Sequence, residues 1–330
     1  MKKVIVSAPG KLHLSGEHAV VHGKPALVVT TNKRLYVTLE NQKSKISAKG
    51  GSAFGRKDQN DILKIKNERN YLASIINLLE TKYDTQLRDL SLEITSDIPV
   101  GAGMGSSAAL VVATIGALII YLGKPWNPQE INELAFQAEK FQHGNTSGSD
   151  PTVITHGGLL WYRKELEFLK TFWLLPFKIP KSFTPFVLVD TGRTESTKDL
   201  VVGVVGKKKT QNPGAFELLI AKIEQVTRTI TQAIHDEKEV DFRKLVTINE
   251  RLLEQLGVVS NSTQKFIRDI ENSGGAAKIS GAGGVKTGSG IVLAVHDDSQ
   301  KLITLAKKYK YPSFQVALGG EGVRREQVVV

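Results

Sequence analysis

One segment constrains this chain more than any other: Pro99-Val100-Gly101-Ala102-Gly103-Met104-Gly105-Ser106-Ser107-Ala108-Ala109. Before it, residues 90–94 alternate as a strand does; after it, residues 108–122 are apolar apart from Thr114 and Gly116. A strand, a glycine turn and a long apolar helix in succession make an α/β unit. Glycine lacks a Cβ, so such a loop can take positive φ and lie close against a ligand. Opening onto a helix, it aims unpaired N–H groups and the positive dipole end at an anion. Residues 101–107 therefore read as a phosphate cradle, with the Ser106 and Ser107 hydroxyls as further donors and a site for Mg²⁺. It is neither a Walker loop, since no lysine follows, nor G-x-G-x-x-G, since the third glycine comes one residue early. Taken alone, the segment also fits a tight turn that binds nothing.

At 330 residues the chain accommodates one large domain or two ordinary ones. A net charge of +11 favours anionic partners. The positive charge is spread out, and its densest run, Lys207-Lys208-Lys209, falls among Gln211, Asn212, Pro213 and Gly214. That setting predicts a solvated loop; clustered basic residues interleaved with aromatics are missing, which argues against a nucleic-acid partner. The absence of cysteine excludes disulfides, thiolate metal sites and cysteine nucleophiles, and fits the cytosol. Val4-Ile5-Val6 is too short for a signal-peptide core. The run at 108–122 falls short of a membrane span and reads as a buried helix.

Strands are expected at 4–6, with a break at Ala8-Pro9-Gly10, and at 35–39, 90–94, 157–162, 186–189, 278–279, 290–295 and 314–318. Helical spacing marks 71–81, 127–141, 216–234, 241–256, 262–272 and 300–309. A composition shift near 177–184 suggests a boundary, giving units of 1–181 and 182–330. No internal repeat is present.

Three further constellations carry chemistry. In Pro9-Gly10-Lys11-Leu12-His13-Leu14-Ser15-Gly16-Glu17-His18-Ala19-Val20-Val21-His22-Gly23, Lys11 follows a break and Glu17 and His18 sit at a turn. A lysine there can neutralise a phosphate, and Glu and His can hold hydroxyl and carboxylate groups. His18 and His22 lack the H-E-x-x-H order of a zinc helix. In Glu139-Lys140-Phe141-Gln142-His143-Gly144-Asn145-Thr146-Ser147-Gly148-Ser149-Asp150, two carboxylates flank a small polar loop. Phosphoryl transfer wants one carboxylate on Mg²⁺ and one near the attacking hydroxyl. By itself the pair reads as well as a helix-end carboxylate and an Asx-turn. Lys278-Ile279-Ser280-Gly281-Ala282-Gly283-Gly284 is a second glycine turn, alone indistinguishable from a hairpin. No serine has the G-x-S-x-G context of a nucleophile elbow.

Together and in this order, PGK-x-x-x-x-GEHAVVHG, PVGAGMGSSAA, EKFQHGNTSGSD and KISGAGG resemble the GHMP kinase superfamily over nearly the whole chain. GEHAVVHG and HGN-x-SG-x-D are most similar to the branch that phosphorylates mevalonate. The resemblance implies an α/β fold of two units, an N-terminal ribosomal S5 domain 2-like one and a C-terminal ferredoxin-like one, with the active site between them. It implies transfer of the γ-phosphate of MgATP to the C5 hydroxyl of mevalonate. Gly101, Ala102, Gly103, Met104, Gly105, Ser106 and Ser107 would wrap the ATP phosphates; Ser107 and Glu139 would hold Mg²⁺. Asp150 would accept or orient the hydroxyl proton, with Lys11 beside it. Glu17, His18 and Thr197 would bind mevalonate, and Ser280, Gly281, Ala282, Gly283 and Gly284 would close over the transfer region. No membrane partner is implied, and a homodimer is left open.

The sequence departs from that pattern at four places. Thr146 stands where the superfamily branch usually has proline, and Ser149 where it has valine or isoleucine, which makes the pocket more polar. Leu110 replaces a tyrosine common in animal enzymes. Val285-Lys286-Thr287 replaces a Gly-Gly-Cys run, and the added lysine leaves phosphomevalonate open as acceptor. A sugar acceptor is a further alternative. A non-catalytic sensor of the same fold would be expected to lack Lys11, Glu139 or Asp150, and all three are present. Lys11 and Asp150 together argue against the related decarboxylase and 3-kinase branches.

Overall fold

A computed structural model describes residues 3–41, 45–49, 60–88, 90–143, 146–183 and 185–329. Gly144, Asn145 and Thr184, which belong to segments singled out above, lie outside the described residues. The first half contains β1 (Lys3–Ser15), β2 (Pro25–Asn41), β3 (Lys45–Lys49), α1 (Asn60–Tyr83), β4 (Leu90–Ser96), α2 (Ser106–Tyr121), α3 (Pro128–His143), α4 (Ser149–His156), β5 (Leu159–Lys164) and β6 (Lys170–Leu174). The second half contains β7 (Phe186–Asp190), α5 (Gly206–Gln211), α6 (Pro213–His235), α7 (Glu239–Leu256), α8 (Asn261–Asn272), β8 (Ala276–Ile279), β9 (Ile291–Val295), α9 (Ser299–Lys308), β10 (Ser313–Val316) and β11 (Arg324–Val329).

β1 pairs antiparallel with β2 along most of its length. The long β2 then serves two neighbours, β5 through residues 25–29 and β4 through 35–41. β3 adds to β4 in parallel, β6 to β5, and β11 crosses the whole chain to pair with β1. The expected break at Ala8-Pro9-Gly10 is not a break. β1 runs through it with a register shift between Pro9 and Lys11. Proline is tolerated there because β11 pairs only with residues 3–7, so no ladder bond is asked of its missing N–H.

α2 is apolar on every side and packs against this sheet, with all residues from Ala108 to Ile119 buried. Gly116 brings it close: a Cβ there would stand 3.2 Å from both Trp126 and Val6. The second sheet has the order β10-β7-β9-β8. Read with α6–α8 after β7 and α9 after β9, this is a β-α-β-β-α-β unit, the ferredoxin-like topology. α6 lays Leu219, Ile220, Ile223, Val226 and Ile230 against the core, as its spacing predicts.

The predicted loop around Lys207-Lys208-Lys209 is instead helical. A π-helical segment, Asp199–Val205, continues without interruption into α5, because both junctions keep right-handed helical angles. The polar stretch before Asp150 likewise ends sooner than expected, and Asp150 lies in the first turn of α4. Among the described residues no helix is long and apolar enough to cross a membrane. Gly116→Val should overpack the α2–sheet junction and lower stability by about 1–3 kcal/mol, measured by urea unfolding; wild-type stability would show that Trp126 yields freely.

Candidate active site

The glycine loop takes the shape its composition demands. Gly101, Gly103 and Gly105 have φ of 78°, 92° and 74°. Gly105 is the N-cap of α2 and supplies no side-chain cap, so the first N–H groups of that helix are offered to a ligand. The loop is pinned from both sides: Lys11 N–H donates to Met104 O at 2.9 Å, and Ile291 N–H donates to Ala102 O at 3.0 Å. A Cβ on Gly105 would collide with the Lys11 side chain at 2.7 Å. Only glycine therefore lets the loop and the lysine occupy adjoining space.

Lys11 is 4% exposed. Its Nζ stands 3.0 Å from Asp150 Oδ2 and 3.3 Å from His13 Nδ1. Asp150 gains further from α4, whose N-terminal dipole end favours its charge. Burial works against that charge, but the Lys11 ammonium and a hydrogen bond from Ser149 outweigh it and hold the carboxyl below its usual range. Glu139, on α3, goes the other way. Burial and then the nearby Asp150 carboxylate push it up to about 8, against a hydrogen bond from Thr146 Oγ1 at 3.2 Å. The two carboxylates are thus neighbours across the polar loop. Ser107, exposed in the first turn of α2, meets the same group through Tyr71: burial and the Glu139 charge raise the Tyr71 hydroxyl, while a Ser107 hydrogen bond opposes the rise.

Glu17 turns away from this cluster. It is 2% exposed and accepts from Lys278 Nζ, which has no exposure and also donates to His13 O and Ile279 O. Burial raises the Glu17 carboxyl, and Lys278 pulls it back. The pair fastens the turn after β1 to the end of β8. His18 adopts φ 60°, unusual for a residue with a side chain. Its Nε2 lies 3.0 Å from Ala282 O. A carbonyl only accepts, so Nε2 carries the proton and Nδ1 is a bare acceptor, buried without a partner among the described residues. Burial brings this imidazole down to about 4 despite the Ala282 contact.

The third motif lies against the glycine loop. A Cβ on Gly103 would be 3.5 Å from Ser280 O, and one on Gly281 would be 3.6 Å from Gly103 O. Ser280 Oγ receives the His13 N–H at 2.9 Å. Gly283 has φ 77° and tucks under Val258 O. Glu195 Oε1 accepts from Val285 N at 3.1 Å and Lys286 N at 2.8 Å, which ties the 191–196 loop to this motif. Thr197 stands exposed two residues further on, and the Lys286 side chain is also exposed.

Sequence reasoning missed His13, Tyr71, Tyr162 and the partners of Lys278. His13 was legible in principle, since alternate residues of a strand share a face with Lys11. Tyr162, fully buried on β5, donates to Ser147 O at 2.5 Å and fixes the loop before Asp150. No local signal marks it.

Comparison with known proteins agrees with the geometry. The model of the "GHMP kinases N terminal domain" matches residues 70–158, from the middle of α1 to just past α4. A mevalonate kinase of Thermococcus gammatolerans is 34% identical over 99% of each chain, and one of Pyrococcus furiosus is 33% identical over 99% of each. The crystal structure of L. major mevalonate kinase in complex with R-mevalonate aligns over 97% of this chain and 96% of its own, with a TM-score of 0.78 and 26% identity. A glycine cradle at a helix start, beside a lysine–aspartate pair and between two such sheets, defines a small-molecule kinase of the GHMP class. Within that class the chain belongs to the mevalonate kinase family.

Two stability experiments follow from this arrangement. Lys278→Met leaves the Glu17 carboxyl buried without its partner and should cost about 3–5 kcal/mol, read by chemical denaturation; a loss under 1 kcal/mol would show the pair to be dispensable. Glu250, on α7, is fully buried, accepts from Ile279 N at 2.9 Å, and is pushed up to about 8 by burial. A carboxyl raised in the folded state weakens folding as pH climbs from its unfolded value to about 8. Glu250→Gln should therefore gain stability over wild type progressively across that window and no further above it. Melting curves at several pH values will show this; parallel curves would refute it.

Proposed function

We propose that this chain transfers the γ-phosphoryl group of MgATP to the C5 hydroxyl of mevalonate, forming 5-phosphomevalonate. The observation that carries the reading is the Lys11–Asp150 pair at 3.0 Å, set against the glycine loop. The names of the relatives, and the R-mevalonate held by the L. major enzyme, support mevalonate as acceptor.

In this reading residues 101–107 bind the ATP phosphates through backbone N–H groups and the start of α2. Asp150, ionised at neutral pH, orients the attacking hydroxyl and takes its proton as the new O–P bond forms and the bond to ADP breaks. Phosphoryl transfer asks more for positioning and charge neutralisation than for a strong base, so a carboxylate held below its usual range suffices. Lys11 neutralises charge on the transferred group and on the deprotonating oxygen. His18 offers its bare Nδ1 to the acceptor side, Thr197 stands at the start of the helical stretch flanking it, and Glu17 supports the site through Lys278. Residues 280–284 close over the transferring group.

Magnesium fits the residues present. Glu139 is a buried carboxyl pushed up to about 8 beside a second carboxylate, a pairing that a cation relieves. Glu139 and the Ser107 hydroxyl would hold the ion. Held there, magnesium would supply positive charge to neutralise the phosphate groups. We also infer units of 1–181 and 182–330, with β11 returned to the first sheet.

The test is ADP release by purified protein with MgATP and mevalonate, wild type beside Asp150→Asn. Mevalonate-dependent turnover that falls about 10²–10⁴-fold in the variant is expected. No turnover with mevalonate overturns the acceptor, and phosphomevalonate and sugars in the same assay then identify the correct one.

A further inference from the structure

We propose that His13 is a positioning residue for this reaction: its Nδ1 takes one N–H of Lys11 and fixes the ammonium against Asp150. The inference rests on the reading that Lys11 and Asp150 act at the acceptor hydroxyl.

Lys11 and His13 are two apart on β1 and so project to the same side. Nζ lies between two acceptors, Asp150 Oδ2 at 3.0 Å and His13 Nδ1 at 3.3 Å. An ammonium has three donors and no acceptor. His13 Nδ1 must therefore be bare, and the ring proton resides on Nε2. With two N–H bonds committed, tetrahedral geometry fixes the direction of the third. A lysine held by the carboxylate alone could still swing about its side-chain torsions while keeping that one bond; the imidazole removes that freedom.

The residue is buried and its backbone is firmly held. His13 is 7% exposed, and its N–H donates to Ser280 Oγ at 2.9 Å. Its carbonyl accepts from Ser280 Oγ at 3.2 Å and from Lys278 Nζ at 3.3 Å. The charged and titratable groups that face it are Lys11, Asp150, Lys278 and His18. Burial, with Lys11 and Lys278, outweighs Asp150 and keeps the imidazole neutral, with its pKa brought down to about 3. Nδ1 thus stays an acceptor at neutral pH. The same ring links three motifs, because its backbone joins the third motif while its side chain orients the lysine of the first against the aspartate of the second.

The test pairs His13→Leu, which has no acceptor, with His13→Asn, whose Oδ1 can replace Nδ1. The leucine variant should lose about 10–100-fold in kcat, with KM for ATP and mevalonate changed by no more than about twofold. Asparagine should restore most of the loss at similar thermal stability. Equal losses in both variants, or wild-type kcat in the leucine variant, overturn the proposal. An independent readout is the ¹⁵N spectrum of imidazole-labelled protein. His13 should show a bare Nδ1 and a protonated Nε2 between about pH 5.5 and 8, a preference that Lys11→Met abolishes. A protonated Nδ1, or titration in that range, overturns it. Should the wild type fail to phosphorylate mevalonate, the acceptor reading falls, and the spectrum still decides the lysine–imidazole contact.

Discussion

The Lys278 ammonium has no solvent-accessible surface, and the whole cleft depends on how its charge is satisfied. It comes from β8 of the second sheet, yet its partners include Glu17 and the His13 carbonyl, both from the β1 segment that serves the first sheet. Burying two charges is costly, and only an opposed, hydrogen-bonded partner makes the burial tolerable. Neither charge can retreat to water without drawing its backbone away from the other. The pair therefore joins the sheets at the place where the glycine loop, the third motif and Lys11 meet. Ser280 strengthens the joint, receiving from the His13 N–H and donating to the His13 carbonyl.

On that support the electrostatics of the cleft are divided rather than shared. Two neighbouring carboxylates cannot both remain ordinary. Asp150, facing Lys11 and standing at a helix start, is held ionised; Glu139, buried and facing Asp150, is pushed toward the neutral form. Environments that separate the pKa values of a pair also separate their tasks. One carboxylate can handle a substrate proton while the other accepts a cation. Nearby imidazoles stay neutral for a different reason, burial, joined at His13 by Lys11 and Lys278, so they serve as directed hydrogen-bonding groups rather than charges.

Much of this was legible in the chain, and the reasons for success and failure are physical. The strand–turn–helix form of the glycine loop and α2 was read correctly because three positive-φ positions and a long apolar run leave few alternatives. α6 followed from a stripe at helical spacing. Lys207-Lys208-Lys209 was misjudged because polar composition says little about a helix that continues from a preceding apolar turn. Pro9 and Gly10 looked like a stop, but a strand can carry proline where its neighbour has ended. Glu17 was expected to face substrate; its partner lies 261 positions away, and no local pattern encodes such a contact. His13 was hidden for the opposite reason, since its relation to Lys11 is a simple strand alternation masked by the more conspicuous Glu17-His18 turn.

β11 gives the molecule a mechanical property. The chain passes from the first sheet to the second between β6 and β7, and returns through residues 317–323 before β11 joins β1. The return is stitched to the first sheet, with Gly319 N–H donating to Thr30 O at 2.8 Å and Asn32 N–H donating to Ala317 O at 3.0 Å. Ser7 and Glu326, 319 positions apart, close the circuit with a side-chain hydrogen bond. Two bodies connected by one strand can twist freely; connected by two, they share an axis. The second crossing therefore limits how far the two sheets can turn against each other, as the Lys278–Glu17 pair does from inside the cleft.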